Sequence, residues 1–165
     1  MTEEATKYNA NLQDFKDRLK TSRVEQIFFY IDKEPTFDKD KLPFDFKYCH
    51  SVKILTSSES FIVQTSMTDA GLETFWVVSK PKDDNIFDSS LQINLNVKAV
   101  LSKNGFANLP FKIELDFDSS KIFIYAADIY DRADGEIDCK INDEMILIFE
   151  KQKDAEEFEK MINYG

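Results

Sequence analysis

A chain of 165 residues, 42% hydrophobic and 13% aromatic, has enough apolar material for one domain spanning 1–165, which argues against disorder despite 32% charged residues. Its formal charge of −10 repels phosphate and anionic lipid, so nucleic acid and membrane surfaces are not expected partners. Cys49 and Cys139 are too few for a disulfide framework, and residues 1–7 lack the basic and apolar parts of a secretory signal. The expectation is therefore a cytoplasmic protein with reduced thiols.

Tyr8, Leu12, Phe15 and Leu19 recur at helical spacing and predict an amphipathic helix over about residues 4–20. Strands are expected within 24–149. Val24–Ile31 has β-formers on both faces, and a long connection with Pro35 and Pro43 follows over 32–45. Phe46–Leu55 and Phe61–Met67 read as strands. After the turn Thr68–Gly71 comes 73–79, where the apolar run Phe75–Val78 predicts a central strand. Residues 80–90 read as a loop.

Leu91, Ile93, Leu95 and Val97 alternate with polar residues, as do Phe111, Ile113, Leu115 and Phe117, so each segment should bury one face in an antiparallel sheet. Lys121–Tyr130 is a further strand. Gly135 marks a turn, Ile137–Ile141 alternates, and Asn142-Asp143 reads as another turn before Met145–Phe149. Asp154 is expected to cap a last helix over about 154–163, with Glu157 completing a capping box. The fold class is α+β: a curved antiparallel sheet or partly open barrel of about eight or nine strands with one N-terminal and one C-terminal helix. Residues 145–164 resemble the end of a pleckstrin-homology-type barrel. The basic early hairpin with which such domains hold phosphoinositides is not evident, and no family is assigned.

No catalytic or cofactor pattern emerges. Cys49 and His50 are adjacent on a strand, where neighbouring side chains point to opposite faces. His50 is the only histidine, and two distant cysteines with one histidine make no zinc pattern. If Gly135 held the sixth place of a calcium-binding EF-hand loop, Tyr130, Arg132 and Ile141 would fall where carboxylates are required. Asp116 and Asp118 share a strand face, but nothing supplies the cleft that a glycosidase pair needs. Neither an enzyme, a metal nor a cofactor is expected.

The charge is uneven. Residues 1–110 hold 14 basic and 16 acidic side chains, whereas 111–165 hold 7 and 15. If the strands 111–118 and 136–140 are neighbours, Glu114, Asp116, Asp118, Asp128, Asp131, Asp134, Glu136 and Asp138 form one acidic surface. Tyr125 and Tyr130 would punctuate it. This predicts a non-enzymatic protein-binding module for a basic protein partner such as a toxin or effector, in the manner of an inhibitor, an immunity protein or a dedicated chaperone. The alternative expectation is an apolar small-molecule or lipid-binding barrel, its cavity lined by the fifteen phenylalanines and lidded by 32–45.

Overall fold

A computed structural model describes residues 1–31, 35–83 and 89–164. The expected loops at 32–45 and 80–90 therefore lie partly outside the described residues.

The N-terminal helix α1 (Glu3–Leu19) starts at Thr2, whose hydroxyl accepts the Ala5 N–H, and acidic Glu3 and Glu4 occupy its positive first turn. Its buried stripe is Ala5, Tyr8, Leu12, Phe15 and Leu19. Among the described residues ten strands follow: β1 (Arg23–Tyr30), β2 (Lys47–Cys49), β3 (Ser51–Thr56), β4 (Glu59–Met67), β5 (Glu73–Pro81), β6 (Ser89–Asn96), β7 (Ala99–Asn104), β8 (Pro110–Asp116), β9 (Lys121–Asp131) and β10 (Ile137–Phe149). Helix α2 (Gln152–Lys160) ends the fold.

The fold is α+β, and the strands divide between two antiparallel sheets that do not close into a barrel. The first has the order β5-β4-β3-β1-β6 and the second β2-β10-β9-β8-β7. The chain turns from one sheet into the other at His50, between β2 and β3, and at 97–98, between β6 and β7. Corners of this kind let two sheets share one core.

That core holds Ile27, Phe29, Ile54, Phe61 and Phe75 from the first sheet and Ile113, Leu115, Ile124, Ile146 and Ile148 from the second. Leu12, Phe15 and Leu19 of α1 enter the same cluster, so the helix fills the gap beside β5. The outer face of the second sheet is buried as well. Phe37, Phe44, Tyr48, Phe123, Tyr125, Phe149 and Phe158 form an aromatic layer beneath α2 and the segment 37–46. Centroid distances there include 4.8 Å for Tyr125–Phe158 and 5.2 Å for Phe149–Phe158, which is contact range for edge and tilted ring pairs.

Several expectations are corrected. β5 is an edge strand; the unoccupied side of its apolar run is covered by α1 rather than by another strand. The expected turn at Asn142-Asp143 is a bulge within β10, because Ile141 pairs with Ala127 and Ile146 with the adjacent Ala126. Strand β7 is a further strand that the sequence pattern does not predict. Helix α2 begins two residues before Asp154, with Lys151 at its N-cap and no side-chain cap bond, so Asp154 serves as an acid of the first turn.

Candidate binding surface at the end of β9 and β10

The hairpin is built by direct pairing of Asp131 with Ile137, Tyr130 with Asp138 and Asp128 with Lys140. Its turn closes through Arg132 N–H to the Glu136 carbonyl at 2.8 Å and Gly135 N–H to the Arg132 carbonyl at 3.0 Å. Gly135 has φ +88°, a conformation that glycine takes without penalty. The Arg132 guanidinium donates to Asp134 and to Asp138 at 3.3 Å. Hydrogen bonds from Arg132, and then from the Glu136 N–H, hold the Asp134 carboxyl down at about 2.

Tyr130 lies beside this turn, 36% exposed, with its hydroxyl donating to Asp143 at 2.9 Å and Lys140 Nζ lying 5.2 Å from its ring centre. Partial burial, then the Asp143 carboxylate, raises the phenol above its ordinary range. Asp143 sits on the β10 bulge, which Asn142 anchors. The buried Asn142 amide donates to the carbonyls of Glu73, Leu109 and Pro110, and its oxygen accepts the Phe106 N–H at 3.0 Å. Thr65 of β4 donates to the Glu144 carbonyl at 2.7 Å, joining the bulge to the first sheet.

An open cleft of about 410 Å³ runs beside the bulge, lined by Glu73, Asp138, Lys140, Asp143 and the exposed Met67 among others. Met67 also lines a wider hollow of about 920 Å³ at the start of α1, whose rim includes Glu3, Glu4 and Asp69.

The ten residues expected to form one surface do not gather. Strand β9 lies between β8 and β10. Glu114 pairs across from Phe123, whereas Asp138 pairs across from Tyr130. Phe123 and Tyr130 are an odd number of residues apart on β9, so Glu114 and Asp138 lie on opposite faces of the sheet. Seven residues of strand, roughly 23 Å, also separate them lengthwise.

At the β8 end the acids are interleaved with cations. Asp116 faces Lys121, and Asp118, in the turn after β8 and no longer on its face, pairs with Lys98 at 3.0 Å. Lys112, next along from Glu114 on that face, pairs with Glu159 at 2.9 Å. Tyr125 is fully buried beneath α2, and its phenol is raised by burial and then by the nearby Glu159 carboxylate, which stands outside hydrogen-bond geometry. Asp128 is buried too, accepting from the Tyr48 hydroxyl and the Ile129 N–H, both at 2.7 Å. Tyr125 and Asp128 are thus structural.

What remains around the one turn is Tyr130, Glu136 and Asp138, with Asp134 in the turn and Asp131, one residue on from Tyr130, at the same end but on the other face, and the bulge adds Asp143, Glu144 and Asn142. The sequence does not point to these last three, because Asn-Asp reads as a surface turn. No signal in one sequence shows that an asparagine is buried.

Cys49 and Cys139 are buried, and burial pushes each thiol up to about 12. His50 is exposed at its corner, its ring 5.9 Å from that of Tyr30. Among the described residues no group of three or more His, Cys, Asp or Glu is placed to hold a metal ion, and no helix is long and apolar enough to cross a membrane. No protein-family model, curated protein or solved structure matches the chain.

Proposed function

We propose that this chain is an acidic protein-binding module that docks on a basic protein partner through the β9–β10 end. The observation that carries the reading is a concentration of charge. With the buried Asp128 left aside, residues 130–144 hold six carboxylates and two cations, net −4 of the formal charge of −10. Such a field speeds encounter with a cationic surface.

Two further features support it. Tyr130 and Met67 are exposed beside these carboxylates and supply apolar contact area for an anchor. Arg132 already holds Asp134 and Asp138, so the turn is ordered before binding, and less ordering entropy is lost on docking. Asp131 and Glu136, both exposed, make no side-chain bond among the described residues and are available to a partner's Lys or Arg. A partner covered in this way would be occluded, which suits an inhibitor, an immunity protein or a dedicated chaperone. The apolar-ligand alternative draws no such support, since the described phenylalanines of the aromatic layer pack against one another.

The test is capture from an extract of the native host by immobilised protein in three forms. These are the unaltered chain, D131K/E136K, and E150K/E156K, which makes the same charge change at exposed positions elsewhere. A basic protein should be retained by the first and third forms and lost by the second. Retention indifferent to D131K/E136K, or equal loss with E150K/E156K, would overturn the proposal.

A further inference from the structure

Among the described residues each sheet has two edge strands, and three of the four are short, covered or bridged. β2 is only three residues long. β5 is covered by α1, whose Asn11 bonds both main-chain groups of Val77. β7 contains Lys103 and is bridged to α1 by Lys16 to Ser102 at 3.0 Å and Asn104 to Asn9 at 3.1 Å. Short length, charge and coverage are the usual means of keeping an edge from pairing with another chain.

β6 differs. Six of its eight residues pair with β1 on one side, and among the described residues nothing pairs with the other. Residues 89–97 contain no charged side chain, in a chain that is 32% charged. Leu91, Ile93 and Leu95 pack on the core yet stay only half-buried, while Ser90, Gln92, Asn94 and Asn96 are exposed on the other face. One irregularity interrupts the strand. Asn94 has φ +52° where three steps of β6 oppose two of β1, so the regular part is Ser89–Gln92.

We infer that β6 is a self-association edge, pairing antiparallel with β6 of a second copy about a two-fold axis. The charge pattern favours this occupant. A cationic partner gains nothing from an uncharged strand, whereas two copies at −10, which repel as wholes, meet with the least local like-charge contact along such a segment. The side-chain pattern fits as well. With the axis through a residue rather than between residues, like parity meets like, so apolar Leu91 and Ile93 stay on one face and Ser90 and Gln92 on the other. The contact is small, and the expected dimer is weak, with a dissociation constant on the order of 100 µM. It leaves the acidic hairpin, on the other sheet, open.

Sedimentation velocity of the full chain from about 5 to about 500 µM tests this directly. A monomer–dimer equilibrium should strengthen with added salt, which screens the repulsion, whereas docking on a basic partner weakens with salt. The two proposals can thus fail separately. Gln92→Lys at an exposed position lowers the overall repulsion, yet it should weaken the dimer at least tenfold by placing like charges across the axis; Gln92→Ser should leave it unchanged. Monomer at every concentration would leave the edge to some other protein's strand and overturn the inference. So would a dimer indifferent to Gln92→Lys, or open-ended growth beyond the dimer.

Discussion

Asn11 completes the main-chain pairing of Val77. Its side-chain oxygen accepts the Val77 N–H at 2.9 Å and its amide donates to the Val77 carbonyl at 3.0 Å. A helix side chain thereby stands in for a neighbouring strand, which is how β5 can be both apolar and at an edge. Asn11→Leu would leave two half-buried main-chain groups without partners. Urea denaturation should show a loss of about 2–4 kcal/mol, and an unchanged midpoint would show that water replaces the amide at no cost.

Gly105 is fixed by space. A Cβ there would lie 2.6 Å from Asn142 Oδ1 and 2.8 Å from Ile141 Cδ1. Gly105→Ala should therefore cost about 1–3 kcal/mol by pushing the Asn142 amide off its carbonyl acceptors. Gly135→Ala meets nothing within 4 Å but must hold φ +88°, and it should cost about 1 kcal/mol. Thermal melts of both variants check the order.

The two thiols should be inert in the folded protein. Each is buried and raised to about 12, so at pH 8 neither forms a thiolate, whereas an unfolded cysteine titrates near ~8.5. A disulfide reagent should label them only as fast as the fold opens, and denaturant should release both at once. The same difference means that stability falls as pH rises above about 8.5. Rapid labelling of the native chain would contradict the burial.

Asp134 provides a spectroscopic handle on the hairpin. Its folded value of about 2 lies below the ~3.9 of a free aspartate, so the stabilisation from its Arg132 and Glu136 N–H bonds is intact above about pH 4 and is lost as pH falls through about 2. A carboxyl-carbon NMR titration should show this midpoint, and Arg132→Gln should move it back toward the free value. A midpoint near ~3.9 in the unaltered chain would mean that the Arg132 pairing does not persist in solution.

The parts legible in the sequence were those whose periodicity reports burial directly. Leu12, Phe15 and Leu19 placed α1 to within a residue at each end, and the alternation from Ile113 to Leu115 placed β8. β7 was invisible because Val100 is its only buried side chain, so it shows no alternation. The β10 bulge was hidden because Asn142 is polar and takes φ +55°, as a turn residue would, although its amide is buried among carbonyls distant in sequence. The candidate surface was read only in part for a similar reason. Alternation tells which side chains share a face of one strand, but not that β9 would come between β8 and β10 and set their acids on opposite faces.

The claim that the β9–β10 end is the docking surface is tested most directly by the association rate constant for a captured basic partner, measured across a range of ionic strength. The account predicts fast association that slows steeply with salt, and a slower, flatter dependence once Asp131, Asp134 and Asp138 are reversed to Lys. An association rate and salt slope unchanged by those reversals would contradict it.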